Sequence, residues 1–192
     1  FNYRLNGSSR FWRFYLFILG ITHPISWNGA ACILADGKLI AWVEEERINR
    51  LKHAPRQAPR LAMDYCLKQA GVTLDDVNFV AVGYDRVIRA ALDNLYAEEN
   101  LLYGINQATL FLREGTHYEK KLPLEGFDRN RVMFISHHKA HAASAFFASG
   151  FTEANILSLD GSGGNESGIL AVGRGKKIEP LKTVSNRGSW GW

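Results

Sequence analysis

Residues 154–184 read ANILSLDGSGGNESGILAVGRGKKIEPLKTV, and the pattern inside them occurs once before in the chain. An apolar run, Ile156-Leu157-Ser158-Leu159, leads into a glycine-rich segment. A second run follows over residues 168–172, then a tight turn at Gly175 and a third strand over 176–184. Much earlier, Ile18-Leu19-Gly20-Ile21, a polar loop, residues 31–35, the dipeptide Asp36-Gly37 and residues 39–43 repeat that order. Asp-Gly supplies the positive-φ positions of a two-residue hairpin turn. A weak duplication of this kind is expected of two similar lobes that each open with three antiparallel strands.

The segments between the two copies fit this plan. Residues 17–22 form a buried strand, residues 30–35 a second, and 38–43 a third. Glu44-Glu45-Glu46-Arg47 then predicts a charged loop reaching Lys52 and His53 and closed by Pro55 and Pro59. Leu61, Ala62, Tyr65, Cys66 and Gln69 follow helical spacing, and Gly71 ends that helix. A strand over 77–83, helices over 86–113, a polar loop over 116–130, a strand over 131–136 and an Ala- and Phe-rich helix over 138–149 come next. The strand over 154–159 is expected to halt at Asp160. The order β-β-β-α-β-α-β-α and then β-β-β matches the α/β architecture of the actin/Hsp70/sugar-kinase (ribonuclease H-like) fold, a lobe built on a mixed sheet. The expected organisation is a tail over 1–16, a first lobe over 17–153 and the first strands of a second, similar lobe over 154–192, incomplete at Trp192.

Composition narrows the function classes. Hydrophobic residues make up 46% and charged residues 22%, which is ordinary globular usage and argues against disorder. The net charge of +4 comes from scattered Lys and Arg with no basic stripe, so nucleic acid is not an expected partner. Cys32 and Cys66 sit in apolar runs and read as small buried hydrophobes, which suits a reducing, cytoplasmic setting. The apolar stretch in RFWRFYLFILGI, residues 10–21, is too short to span a bilayer and no membrane association is expected.

Three of the six histidines fall within Phe134-Ile135-Ser136-His137-His138-Lys139-Ala140-His141. His137 and His141 are one helical turn apart, so both imidazoles can face one point. Asp160, at the end of the next strand, is expected on the same carboxyl edge as His137. Two imidazoles and a carboxylate form an open set favoured by Fe(II), with Zn(II) as the alternative. The loop that starts at Asp160 offers Gly161, Ser162, Gly163 and Gly164 as backbone donors for a phosphate, since glycine lets an anion approach the amides. Metal and phosphate nest together point to nucleotide chemistry. Arg50, Lys52 and His53 form a second cluster suited to a small, doubly charged anion.

These stretches, EEER at 44–47, Arg50-Leu51-Lys52-His53, HHKAHAASAF at 137–146 and Leu159-Asp160-Gly161, resemble in combination the O-carbamoyltransferase family of the nodulation-factor and antibiotic-tailoring type. The resemblance runs from Phe17 to the end of the chain. It implies an enzyme that takes carbamoyl phosphate and ATP, forms a carbamoyl-adenylate and passes the carbamoyl group to a hydroxyl of a small acceptor. It further implies a metal, typically iron, on His137, His141 and Asp160, and Lys52 in contact with carbamoyl phosphate. Where the family commonly carries His followed by Asp or Asn, this chain reads Trp27-Asn28, and His23 is the candidate replacement at the carbamoyl phosphate site. With the rest of the second lobe absent, the isolated chain is expected to be inactive. Two rivals are a tRNA-modifying threonylcarbamoyl-adenosine enzyme, whose histidine motif would carry a glutamate where this chain has His138-Lys139-Ala140, and a non-catalytic nucleotide-binding lobe, which needs no paired histidines.

Overall fold

Alternate residues of the strand Phe17–Ile21 (β1) are buried, and this period of two sets the first layer of the molecule. In this computed structural model residues 15–24, 26, 28–85, 120–164 and 166–185 are described, together with scattered positions between 102 and 117. Ala30–Ala35 (β2) pairs antiparallel with β1, and Lys38–Glu44 (β3) pairs antiparallel with β2. Asp36 and Gly37 both take positive φ, 48° and 77°, so the predicted hairpin turn is present. Phe79–Val82 (β4) and Val132–Phe134 (β5) add in parallel, giving the order β3-β2-β1-β4-β5.

The helix Arg60–Ala70 (α2) packs Ala62, Met63, Cys66 and Ala70 onto the sheet, against Leu19, Ile33 and Val80, and Gly71 at φ 69° ends it in the left-handed conformation. Each fully buried Leu, Ile or Val of that layer contributes about 1.5–3 kcal/mol relative to exposure. Cys66 is buried and Cys32 half-buried, both as free thiols; burial pushes Cys66 up to about 11. The mixed α/β sheet, with three antiparallel strands followed by a helix and parallel strands, is the expected actin/sugar-kinase-like class.

Three expectations change. The charged stretch after β3 is not a loop but a short helix, Glu45–Asn49 (α1). Glu45 is buried there because its carboxylate accepts hydrogen bonds from the amides of Leu61 (3.2 Å) and Ala62 (2.8 Å), capping α2 from outside. The segment expected as a polar loop over 116–130 buries Leu122, Leu124 and Phe127 in the main core. The strand expected to stop at Asp160 continues as Glu153–Gly163 (β6), and it does not join the first sheet. It begins a separate antiparallel sheet with Glu166–Arg174 (β7) and Lys177–Ser185 (β8). The three-strand duplication is therefore real, down to the two-residue hairpin at Gly175 and Lys176.

The helix His137–Ser149 (α3) leaves β5 and packs on this second sheet, with Ala142 and Phe146 against Ile156, Ile169 and Ala171. The expected helices over 86–113 and the tail before residue 15 fall largely outside the described residues, although the described positions from 102 to 113 are helical. Among the described residues, no helix is long and apolar enough to cross a membrane.

Candidate metal centre

The connection from β5 into α3 decides the geometry of the site. Ser136 is the N-cap residue of α3, so His137 sits in the helix's first turn and His141 one turn on. Asp160 arrives from β6, on the other sheet, so the two imidazoles and the carboxylate meet across the gap between sheets and not along a single sheet edge. That corrects the expected placement. It follows from α3 packing on the second sheet, which carries its first turn to β6.

Nε2 of His137 lies 2.8 Å from Asp160 Oδ2 and 3.0 Å from His141 Nε2, and His141 Nε2 lies 3.7 Å from the same carboxylate oxygen. Metal bonds of ~2.1 Å at tetrahedral or octahedral angles put neighbouring ligand atoms roughly 3–3.5 Å apart, so the three donors fit one ion. Asp160 Oδ1 accepts the Gly161 amide at 2.6 Å, leaving Oδ2 to face the imidazoles. Burial raises the Asp160 carboxyl, but hydrogen bonds from His137 and the Gly161 amide and the nearby imidazoles outweigh it and hold the group below its ordinary range. Burial, then the neighbouring His137, lowers His141. An anionic carboxylate beside a neutral imidazole is the protonation state a cation needs.

The third histidine of the motif is not a ligand. His138 is fully buried, its Nε2 3.1 Å from the Glu166 carbonyl and its Nδ1 3.2 Å from Ser158 Oγ. A carbonyl only accepts, so the ring proton is on Nε2 and Nδ1 accepts from the serine. The ring thereby ties α3 to β6 and β7.

The expected phosphate loop is also different. Residues Asp160, Gly161, Ser162 and Gly163 belong to β6, whose pairing with β7 is irregular between Leu159 and Gly163; only Gly164, at φ 75°, turns. The Gly161 amide serves Asp160 and the Gly164 amide donates to Tyr84 Oη at 3.3 Å. Gly163 is required for a steric reason, because the His137 ring fills the space a side chain would take. Gly161 and Gly163 here serve Asp160 and His137.

His23 and Lys52 lie on adjoining loops. Arg50, His53, Ala54 and Arg56 all take positive φ, and this bent segment is fastened by the His53 amide donating to Glu46, by His53 Nδ1 at 3.0 Å from Asn28 Oδ1, and by the Arg56 amide donating to the Ser26 carbonyl. Four non-glycine residues in the left-handed region within seven positions are costly and mark a shaped loop. Lys52 stands exposed on it. His23 is buried and stacks on Tyr84, with ring centroids 5.3 Å apart. Burial pulls its imidazole down to about 4. Trp27 lies outside the described residues. Tyr84 and Asp85 escaped the sequence reading. Their signal was the position of Gly83-Tyr84-Asp85 directly after a parallel strand, at the carboxyl edge where such sheets place ligands.

Comparison with known proteins shows the family. The family described as Carbamoyltransferase N-terminus matches residues 17–191. The chain belongs to the carbamoyltransferase family. It is 38% identical over 174 residues to the nodulation protein NolNO of Sinorhizobium fredii, covering 90% of this chain and 25% of that protein. It is 33% identical over 177 residues to protein sll1178 of Synechocystis, covering 85% of this chain and 28% of the relative. The chain thus spans about a quarter of the length of these relatives. Among solved structures, YeaZ from Pseudomonas aeruginosa aligns at a TM-score of 0.42 with 13% identity, over 87% of this chain and 64% of YeaZ.

Proposed function

We propose that this carbamoyltransferase-family chain supplies the metal-holding part of a cytoplasmic O-carbamoyltransferase. In the reaction, water cleaves carbamoyl phosphate to carbamate and phosphate, and the carbamate oxygen displaces pyrophosphate from ATP to give a carbamoyl-adenylate. A hydroxyl of a small acceptor then attacks the carbamoyl carbon, giving up its proton as AMP leaves. The observation that carries this reading is the convergence of His137, His141 and Asp160, with ligand atoms all within 4.8 Å of one another, in a chain of this family. These three residues would hold a divalent ion, Fe(II) by preference with Zn(II) as the alternative. When bound, such an ion supplies positive charge to phosphate oxygens.

The chain's own residues divide the remaining work. Asp160 is oriented by the Gly161 amide, and its other oxygen lies beside the Nε2 atoms of both imidazoles, so the three potential ligand atoms converge. Lys52, exposed on its fastened loop, offers an ammonium to carbamoyl phosphate. His23 is kept neutral by burial, so at neutral pH its part in substrate binding is that of an uncharged hydrogen-bonding ring. An open groove of about 520 Å³, lined by His141, Ser144, Ala145, Leu157 and Asp160, runs from the metal centre along α3 and gives a small molecule access to it.

The test is elemental analysis of this chain and of a His137→Ala/His141→Ala double variant, each expressed with iron and zinc available. Near-stoichiometric metal, mainly iron, is expected in the parent and is lost in the double variant. Metal retained by the variant would refute the ligand assignment. In a longer form of the protein, AMP release that does not require carbamoyl phosphate would refute the reaction.

A further inference from the structure

Strands β1, β4 and β5 lie side by side in parallel, and each delivers an aromatic ring just beyond its carboxyl end: His23, Tyr84 and His137. The rings form a row in strand order. His23 and Tyr84 are stacked, 5.3 Å apart with 27° between planes, and Tyr84 meets His137 edge-on at 5.8 Å and 73°. Beyond Val82 the chain turns at once, the Tyr84 amide donating back to the Val82 carbonyl at 2.8 Å, a three-residue turn of the kind found at strand ends. Tyr84 therefore stands on the edge of the first sheet with one face backed by a buried ring.

Its hydroxyl reaches the other sheet. Tyr84 Oη accepts the Gly164 amide at 3.3 Å, at the turn between β6 and β7. The preceding residue, Gly163, is the one whose missing side chain leaves room for the His137 ring, and Asp160 lies three residues further back on the same strand. One residue thus touches a metal-ligand imidazole from the first sheet and the strand that carries the metal-ligand carboxylate from the second.

We propose that Tyr84 is a positioning residue of the metal centre: its ring sets the plane of His137, and its hydroxyl holds the β6–β7 turn so that Asp160 stays in register with the imidazoles. The inference rests on the metal-centre reading above. Tyr84 is not a ligand and donates nothing to the ion; it acts on affinity through the orientation of groups that do, an influence typically worth tenfold or more for residues behind metal ligands.

The experiment is a Co(II) titration followed by visible absorption, on the parent chain, Tyr84→Phe and Tyr84→Leu, with thermal unfolding of each metal-free protein alongside. Tyr84→Phe keeps the ring and removes only the Gly164 bond, so it should fold as the parent does. Its Co(II) affinity should fall about tenfold with a changed ligand-field band, and Tyr84→Leu should fall further. A tyrosine that merely stabilises the fold would lower the unfolding temperature and leave Co(II) affinity and spectrum as in the parent; that result in Tyr84→Phe overturns the proposal even if Tyr84→Leu does not fold. A parent that binds no Co(II) would instead sink the metal-centre reading, and this inference with it.

Discussion

A β-carbon on Gly163 would sit 2.5 Å from Cγ of His137 and closer still to Cδ2, so residue 163 has no room for a side chain while that ring keeps its place. The contact is between backbone of the second sheet and an imidazole anchored in the first turn of α3, and neither is the flexible end of a long side chain. Gly163→Ala should therefore displace His137 from Asp160. The expected outcome is a loss of metal affinity of about tenfold or more with a stability cost of about 1–3 kcal/mol. Metal titration and urea unfolding on the same preparation check both. A variant that binds metal as tightly as the parent would show that the ring can move without leaving the site.

Glu45 gives a prediction about stability alone. α2 is preceded by Pro59, which makes no side-chain cap, and two of its first amides are served by the Glu45 carboxylate from α1. Gly29 fits against Glu45, its carbonyl accepting the Glu45 amide at 2.8 Å, which holds that carboxylate in the core. Glu45→Ala leaves buried N–H groups without acceptors and should cost about 1–3 kcal/mol. Glu45→Gln keeps one acceptor oxygen and should recover part of that. The midpoint of urea unfolding reads the difference; an unchanged midpoint in Glu45→Ala would remove the capping role.

The same residue shows where the sequence was legible and where it was not. Periodicity and turn chemistry act locally, so the strands, the Asp36-Gly37 hairpin, the helix stop at Gly71 and the duplicated three-strand unit could be read directly. The spacing of His137 and His141 is also local, and Asp160 came within reach because it ends an apolar run. Glu45 was read as part of a solvated loop because its partners are 16 and 17 residues away and consist of backbone amides, which leave no trace in side-chain pattern. Leu122, Leu124 and Phe127 were hidden for a similar reason: their burial is set by the sheet they cover and follows no period. Composition marks residues 161–164 as glycine-rich but does not show that Gly163 leaves room for a neighbouring histidine.

The outer face of the second sheet predicts behaviour in solution. Leu157 and Leu170 pair across β6 and β7, Leu159 shares their face, and all three are exposed, while Ile156, Ile169 and Ala171 point the other way into α3. Adjacent exposed leucines on a sheet form an apolar patch that favours association. The isolated chain should self-associate at micromolar concentration, and a Leu157→Lys/Leu170→Lys double variant should shift it toward monomer, with unfolding changed by less than about 1 kcal/mol since little buried area is lost. Sedimentation velocity checks this; a parent that is already monomeric would contradict it.

Acid should destabilise the fold in a window set by His23. Its imidazole is lowered from 6.5 to about 4 by burial, so between those values the unfolded chain binds a proton that the folded chain refuses. Stability then rises with pH across the window, because the unfolded state carries more protons there. Falling from pH 6.5, the protein loses stability progressively, up to about 3 kcal/mol from this group, and the loss is complete below about pH 4, where both states are protonated. His138, also lowered by burial first, contributes in the same direction. His23→Asn should therefore flatten the dependence of urea-unfolding free energy on pH between 6.5 and 4 without abolishing it, whatever its effect on stability at neutral pH. A slope identical to the parent's would mean that His23 takes up its proton in the folded protein as readily as in the unfolded chain, and that the ring behind Tyr84 is open to water.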